Sequence, residues 1–164
     1  MVYNFTGNVF DSGAPAVAHQ CNALGIMGAG VALQVKQRFP SAYNAYRSLC
    51  KRSEADALMG HIQPCLCGGS KERWIINCFA QRAIGTDTKQ TDYQALESCF
   101  REIHDWAIQN HIRKVAIPHG IGCGLAGGDW DTVLGILKNV FNDYKVDIEI
   151  WKMDQNHRRF ERRR

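Results

Sequence analysis

Residues 117–130 read IPHGIGCGLAGGDW, and five glycines fall within the nine positions from Gly120 to Gly128. An apolar run (residues 114–117) precedes this stretch, and a pattern with helical spacing follows it from Trp130 to Phe141. A strand, a glycine-rich loop and a helix in this order leave bare backbone N–H groups beside a helix N-terminus, where anions and above all phosphate bind. The pattern G-x-x-x-x-G-K-[ST] is absent. The stretch therefore predicts a phosphate-binding loop outside the usual kinase and NTPase chemistry.

A second glycine cluster, residues 25–30 (GIMGAG), follows a predicted buried strand over Ala14–Cys21. Apolar residues at helical spacing continue over Val31–Phe39 and stop at Pro40. In open α/β sheets the ligand lies beyond the carboxyl ends of the strands. Because both glycine clusters follow strands, we expect them at the same edge of the sheet, on two sides of one ligand.

The remaining pattern predicts a three-layer α/β protein, with a mixed and mostly parallel sheet of six or seven strands between helices. The turn residues at 68–73 indicate an antiparallel hairpin. Ser41 is predicted to be the N-cap of a helix over Ala42–Leu49, and the longest helix is predicted over Asp92–Gln109. The predicted strands are Val2–Thr6, Ala14–Cys21, His61–Cys67, Trp74–Ala80, Lys114–Ile117 and Val146–Trp151.

Size and composition indicate one globular domain: 164 residues, 45% hydrophobic and 22% charged. No apolar run approaches the roughly 20 residues of a membrane span, and the N-terminus lacks the features of a signal peptide. The seven cysteines are odd in number and scattered, which favours reduced thiols and a cytoplasmic location. Cys65 and Cys67 are interpreted as small buried side chains, because no partner lies at metal-ligand spacing.

The charge lies at the C-terminal end of the chain. Residues 157–164 contain five Arg and one Glu and so carry the whole net charge of +4. We expect a globular domain over residues 1–152 and a basic tail over residues 153–164. The favoured interpretation is a disordered terminus, and the alternative is a weak contact with nucleic acid.

Three polar residues near the two loops are candidates for chemistry. His19, near the end of the second strand, is either a general acid or base or a satisfied half-buried histidine. Asn22 either binds a sugar hydroxyl or caps a turn, and the second interpretation is favoured when Asn22 is taken alone. Asp129 is either catalytic or, as we favour, the N-cap of the following helix. His119, at the start of the second loop, is a further candidate for proton transfer.

Four segments in matching order resemble the macro domain family. Its members bind ADP-ribose, and their fold is a mixed sheet between helices. These segments are residues 7–10 (GNVF), 17–22 (VAHQCN), 25–32 (GIMGAGVA) and 118–130. The resemblance covers about residues 2–151. It is closest to the branch that contains the ADP-ribose-1''-phosphate phosphatases and the glutamate- and DNA-ADP-ribose hydrolases.

The resemblance implies where a ligand lies. Asn8 stands where many members carry an Asp that accepts from the adenine amino group, and Asn22 is expected at the distal ribose. The first loop is expected at that ribose and a phosphate, and the second loop at the diphosphate. The implied ligand contacts are Asn8, Val9, Asn22, Met27, Gly28, Ala29, Gly30, Val31, Gly120, Ile121, Gly122, Cys123, Gly124 and Leu125.

Two departures from the family pattern bear on the reaction. Residues 77–82 (NCFAQR) contain no Lys, and Ala126 stands where the related hydrolases carry an Asp. We therefore expect binding of ADP-ribose and hydrolysis of the phosphate of ADP-ribose-1''-phosphate, with His19, Asn22 and Asp129 as the catalytic residues. The alternatives are a non-catalytic ADP-ribose reader and a hydrolase that acts on modified protein or nucleic acid. We expect a monomer without a cofactor, a metal ion or a membrane partner.

Overall fold

A single six-stranded sheet forms the centre of the protein in the computed structural model, which describes residues 1–68, 72–85 and 87–154. The strands are β1 (Val2–Thr6), β2 (Ala16–Asn22), β3 (Ile62–Cys67), β4 (Arg73–Gln81), β5 (Lys114–Pro118) and β6 (Asp147–Lys152). Their order across the sheet is β1-β6-β5-β2-β4-β3. Among the strand pairs of the described residues, β3–β4 is antiparallel and the other four are parallel. The expected mixed, mostly parallel sheet with one hairpin is confirmed.

Helices cover both faces of this sheet. They are α1 (Gly30–Arg38), α2 (Pro40–Lys51), α3 (Ala55–Leu58), α4 (Tyr93–Gln109) and α5 (Trp130–Val140), with a short 3-10 helix at Val9–Asp11. Buried residues of α1, α2 and α3 form one hydrophobic cluster with one face of the sheet. Those of α4 and α5 form a second cluster with the opposite face. The protein thus has the three layers that the sequence predicts.

Strand β2 lies between β4 and β5, and the two helix layers bury both of its faces. Successive side chains of a strand point to opposite faces. Ala16 and Ala18 accordingly belong to the cluster of α4 and α5, whereas Val17 and Cys21 belong to that of α1 and α2. A strand that is apolar on both faces is typical of the interior of a parallel sheet.

The start of α2 differs from the prediction. The N-cap is Phe39 and the helix begins at Pro40, so the prediction of Ser41 as N-cap was wrong. Proline is favoured in the first turn of a helix because the missing N–H has no partner there in any case. The four-residue helix α3 has too little sequence for a periodic pattern and was not predicted.

The parallel strands bring several loops to one edge of the sheet. The carboxyl ends of β1, β6, β5, β2 and β4 lie at the same edge, because these strands run in the same direction. We call residues 23–29, which follow β2, the first loop, and residues 119–128, which follow β5, the glycine loop. Since β2 and β5 are neighbours, the two loops leave the sheet side by side.

Two further expectations concern the ends of the chain and membranes. The boundary between domain and tail stays a prediction, because residues 155–164 lie outside the described part. None of the helices within the described residues is long and apolar enough to cross a membrane.

Candidate active site

The backbone of the glycine loop folds into consecutive tight turns. Cys123 N donates to Gly120 O at 2.8 Å, Gly127 N to Gly124 O at 3.1 Å and Gly128 N to Gly122 O at 2.9 Å. The N–H groups of residues 122, 124, 125 and 126 donate to no atom of the described residues. Unpaired donors in a glycine-rich turn form an anion-binding concavity. The loop therefore has the donors that the sequence predicts.

Glycine is required at two positions of this loop. Gly122 has a φ of +75°, and a Cβ atom there would lie 2.8 Å from Gln20 Oε1. A Cβ atom on Gly128 would lie 2.5 Å from Gly122 O. A side chain at Gly128 would displace the backbone of the loop, whereas one at Gly122 would displace the Gln20 side chain and strain a backbone with positive φ. Gly124 differs, because a Cβ atom there would meet open space.

A polar cluster holds the glycine loop against the end of the sheet. Thr91 Oγ1 donates to Gly122 O at 2.6 Å, and Gln20 Nε2 donates to Thr91 Oγ1 at 2.9 Å and to Gln81 Oε1 at 3.0 Å. The N–H groups of Gln90 and Thr91 both donate to Ala126 O. Sequence reasoning missed this cluster, since its members come from three separate segments. The one available signal was a polar residue, Gln20, within an apolar strand.

Asn22 organises the first loop through its side chain. Oδ1 accepts from Leu24 N at 3.0 Å, from Ile26 N at 3.4 Å and from Tyr46 Oη at 2.6 Å, while Nδ2 donates to Ile26 O at 2.7 Å. Tyr46 is fully buried in α2. The turn-capping interpretation of Asn22 is confirmed. One N–H of Nδ2 is the only part of this amide that makes no bond to the described residues.

The first loop leads into an uncapped helix N-terminus. Ala29 is the N-cap of α1 and has no side chain that could accept from the helix, and Gly28, Ala29 and Gly30 are exposed. The first N–H groups of α1 therefore have no side-chain cap, and a helix N-terminus favours negative charge. Met27 was expected to line the ligand, but its side chain is 1% exposed and packs in the core. Val31 is half-buried.

Asn8 and Val9 lie beyond the carboxyl end of β1. Asn8 Oδ1 accepts from Phe10 N at 3.0 Å and caps the 3-10 helix, and Asn8 Nδ2 donates to Gln34 Oε1 at 2.9 Å. The side chain of Val9 is buried in the core, so Val9 can offer a ligand only its backbone. The adenine contact expected of Asn8 stays a prediction.

His19 lies inside the sheet, which corrects its expected position. It is in the middle of β2, 1% exposed, with Nε2 donating to Asn77 Oδ1 at 2.6 Å. Nδ1 has no hydrogen-bond partner in the described residues. Burial lowers the pKa of His19 to about 4, although the hydrogen bond to Asn77 opposes this change. A neutral ring that is buried on one face of the sheet, in the middle of β2, cannot reach a ligand at the carboxyl edge, so the geometry does not support direct catalysis by His19.

Asp129 is an exposed carboxylate where the glycine loop meets α5. Oδ2 accepts from Thr132 N at 3.0 Å and from Thr132 Oγ1 at 2.8 Å, which confirms the N-cap interpretation. These hydrogen bonds lower the pKa of Asp129. Within the described residues Oδ1 makes no hydrogen bond. Partial burial and the charge of Asp129 raise the pKa of the Cys123 thiol. The carboxylate is thus close enough to affect the loop, and Cys123 is a neutral thiol at pH 7.

The remaining predicted contacts divide between buried and exposed positions. Gly120 is half-buried and Ile121 is 3% exposed, whereas Leu125 is 67% exposed. Other large apolar side chains are exposed on loops at the same edge, namely Leu24, Ile26 and Ile84. No group of three or more His, Cys, Asp or Glu among the described residues is arranged to hold a metal ion.

A comparison with known families and proteins gives consistent matches. The family model described as "Macro domain" matches residues 18–137. The chain is 43% identical over 149 residues to an ADP-ribose 1''-phosphate phosphatase of Meyerozyma guilliermondii, covering 77% of this chain and 85% of that protein. It is 30% identical over 143 residues to a DNA ADP-ribosyl glycohydrolase of Mycobacterium tuberculosis, covering 86% of this chain and 39% of that protein.

The similarity extends to solved structures. The macrodomain of Mycobacterium tuberculosis DarG superposes with a TM-score of 0.81 at 25% identity, covering 92% of this chain and 97% of that chain. The chain spans about two fifths of the length of several curated relatives that it matches. The matched part thus corresponds to one domain of those longer proteins.

Proposed function

Because this chain belongs to the macro domain family, we propose that it binds ADP-ribose or a derivative and hydrolyses the phosphate of ADP-ribose-1''-phosphate. The relative that is 43% identical to this chain over 149 residues is named as a phosphatase of that substrate. The ligand would lie at the carboxyl edge of the sheet, between the first loop and the glycine loop.

One observation carries the proposal: the glycine loop has four N–H groups that donate to no atom of the described residues, and the N-terminus of α1 has no side-chain cap. They belong to loops that follow the neighbouring strands β5 and β2. A diphosphate carries negative charge over several oxygens, and donors from two sides match that distribution. Fixed backbone donors also stabilise negative charge that develops during reaction.

The proposed reaction uses water and needs no covalent intermediate. Water forms a bond to phosphorus, the bond between phosphorus and the 1''-oxygen breaks, and a proton passes to that oxygen. The products are ADP-ribose and inorganic phosphate. Asp129 is our candidate for positioning the water and accepting its proton, since this exposed carboxylate stands where the glycine loop meets α5 and its Oδ1 makes no hydrogen bond within the described residues. The role expected of His19 passes to this residue.

A second candidate function is removal of ADP-ribose from a modified macromolecule. The exposed apolar side chains of Leu24, Ile26, Ile84 and Leu125 stand on loops around the same edge, and such side chains favour contact with a larger partner. The mycobacterial relative is named as a DNA ADP-ribosyl glycohydrolase. A nucleic-acid contact of the tail would belong to this candidate. A reader without catalysis is the third candidate, supported by the uncharged Ala126.

The test is calorimetry with ADP-ribose together with an activity panel of ADP-ribose-1''-phosphate, ADP-ribosyl-glutamate and ADP-ribosyl-thymidine. Gly124→Val is the informative variant, because a side chain there enters open space beside the unpaired donors. We expect it to weaken ADP-ribose binding at least about tenfold, with the melting temperature unchanged. Gly135→Ala is the control, since this helical position in α5 is equally open.

Each result of the panel selects one function. Release of inorganic phosphate supports the proposal, and release of ADP-ribose from the glutamate or thymidine adduct supports the second candidate instead. Binding without turnover of any substrate selects the reader. Unchanged ADP-ribose affinity in Gly124→Val would show that the glycine loop is not the binding site.

The cellular setting is part of the same proposal. All seven cysteines are free thiols, which supports a reducing, cytoplasmic compartment. We also propose a monomer, for which sedimentation of the purified chain is the test.

A further inference from the structure

Lys89 is fixed next to the far end of the glycine loop. The two residues after it, Gln90 and Thr91, donate their N–H groups to Ala126 O at 2.8 and 3.2 Å. A Cβ atom on Gly127 would lie 3.5 Å from Lys89 Cα, so the two backbones are in close contact. Thr91 is bonded to Gly122 O as well. The position of Lys89 relative to the loop is therefore set by backbone geometry.

The side chain of Lys89 is held by an aromatic ring. Its Nζ lies 4.1 Å from the centre of the Tyr93 ring, and Tyr93 Oη accepts from Asp129 N at 2.8 Å. A cation–π contact orients an ammonium group without neutralising its charge. No carboxylate of the described residues forms an ion pair with Lys89. The positive charge thus stays available to a ligand.

Asp87 and Asp92 are the acidic residues nearest to Lys89 in the chain, and within the described residues neither forms an ion pair with it. Asp92 and Asp129 both use a carboxylate oxygen to cap a helix, Asp92 for Ala95 N and Asp129 for Thr132 N. Ala126, the loop residue bonded to the Lys89 segment, carries no charge. This end of the loop thus combines an ammonium group with the open N–H groups of residues 124–126. Such a combination favours an anionic group of the ligand.

We propose that Lys89 determines specificity at this site by binding a negatively charged group attached to the distal ribose of ADP-ribose. This inference rests on the proposed function and adds the feature that distinguishes ADP-ribose-1''-phosphate from ADP-ribose itself. The diphosphate is common to both ligands, so donors that bind only the diphosphate cannot separate them. An additional cation at the end of the loop can distinguish them, because it contacts the terminal phosphate, which ADP-ribose lacks.

The experiment measures both ligands with matched lysine variants. Calorimetry gives Kd for ADP-ribose and for ADP-ribose-1''-phosphate, and KM is used where the second ligand is turned over. Lys89→Met removes the charge and keeps most of the chain length. Lys36→Met is the control, because Lys36 makes the same kind of contact with the Tyr43 ring, at 4.9 Å, near the end of α1. Lys89→Arg keeps the charge and the ring contact.

We expect Lys89→Met to weaken binding of the phosphorylated ligand about tenfold and that of ADP-ribose by less than about threefold. Lys89→Arg should restore the preference, Lys36→Met should keep it, and added salt should reduce it. Equal losses for the two ligands, or no loss for either, would overturn the role of Lys89 while leaving the proposed function intact. A wild-type protein that binds neither ligand would overturn both.

Discussion

The two carboxylate oxygens of Asp129 differ in their hydrogen bonding. Oδ2 caps α5 through Thr132, and Oδ1 makes no hydrogen bond within the described part of the chain. Asn22 and Asn8 are likewise occupied with capping their own turns. Short polar side chains beside tight turns bond to nearby backbone first. At the residue scale, a ligand can therefore form hydrogen bonds only with those atoms of these side chains that are not already bonded to the protein.

Replacing Asp129 by Asn separates its two roles. Asn caps helices about as well as Asp, so we expect the free energy of unfolding to change by less than about 0.5 kcal/mol. The amide cannot accept a proton, so phosphate release should fall about a hundredfold. Stopped-time phosphate assays together with thermal melts make the measurement. Full turnover in this variant would show that Asp129 is not the base.

The segment between β4 and α4 determines the shape of the glycine loop at the scale of elements. Thr91, the residue before the N-cap of α4, is 3% exposed and joins Gln20 of β2 to Gly122 O. The loop thus depends on the carboxyl ends of two strands and on the start of a helix. Its conformation is not a property of its glycines alone.

Thr91→Val removes the hydroxyl at nearly constant volume. It leaves Gly122 O and Gln20 Nε2 each without one buried partner, which costs about 1–3 kcal/mol of unfolding free energy. We expect ADP-ribose affinity to fall about tenfold as the open N–H groups lose their alignment. Urea denaturation and calorimetry check the two effects. Thr91→Ser keeps the hydroxyl and should retain most of the affinity, and equal losses in both variants would contradict the role of this hydrogen bond.

At the scale of the whole molecule, His19 makes folding depend on pH. Its ring lies in the central strand of the sheet, and the hydrogen bond to Asn77 continues from Asn77 Nδ2 to Gln63 Oε1 of the edge strand β3. The pKa of His19 falls from 6.5 to about 4 on folding. The unfolded chain therefore binds this proton at a higher pH than the folded protein does. The contribution of His19 to the free energy of unfolding is fully present above about pH 6.5 and is lost as the pH falls toward about 4.

His19→Gln should remove that dependence. In the wild type, this proton binding lowers the free energy of unfolding by roughly 3 kcal/mol between pH 6.5 and 4, and the variant lacks that change. Urea denaturation at several pH values measures it as the difference in slope between wild type and variant, whatever the variant's absolute stability. Burial lowers the pKa of His104, but hydrogen bonds to Asp105 and Asp143 and their charges outweigh it and raise the pKa, and this opposite contribution is common to both proteins and cancels. Parallel slopes would contradict the buried, neutral state of His19.

Most of the fold could be predicted because its strands and long helices have clear periodicity. β1 was predicted at Val2–Thr6, and α4 and α5 were predicted to within one residue at each end. The capped starts at Asp92 and Asp129 follow from side chains that bond to the adjacent turn. The start of α2 was predicted incorrectly, since two helices meet at Phe39 without a polar cap. The four residues of α3 make about one helical turn, which is too short to show a helical period in the sequence.

By itself, the sequence determined the layered α/β architecture, the two loops at one edge of the sheet and the glycine-rich turns that leave backbone N–H groups open. These features depend on the spacing of apolar residues and glycines along the chain, which can be read directly from the sequence. Only the tertiary structure decided that His19 is enclosed in the sheet, that Thr91 holds Gly122, and that Lys89 lies at the end of the loop. Those facts depend on contacts between segments far apart in the chain, and strand order and side-chain burial create such contacts only when the sheet is assembled.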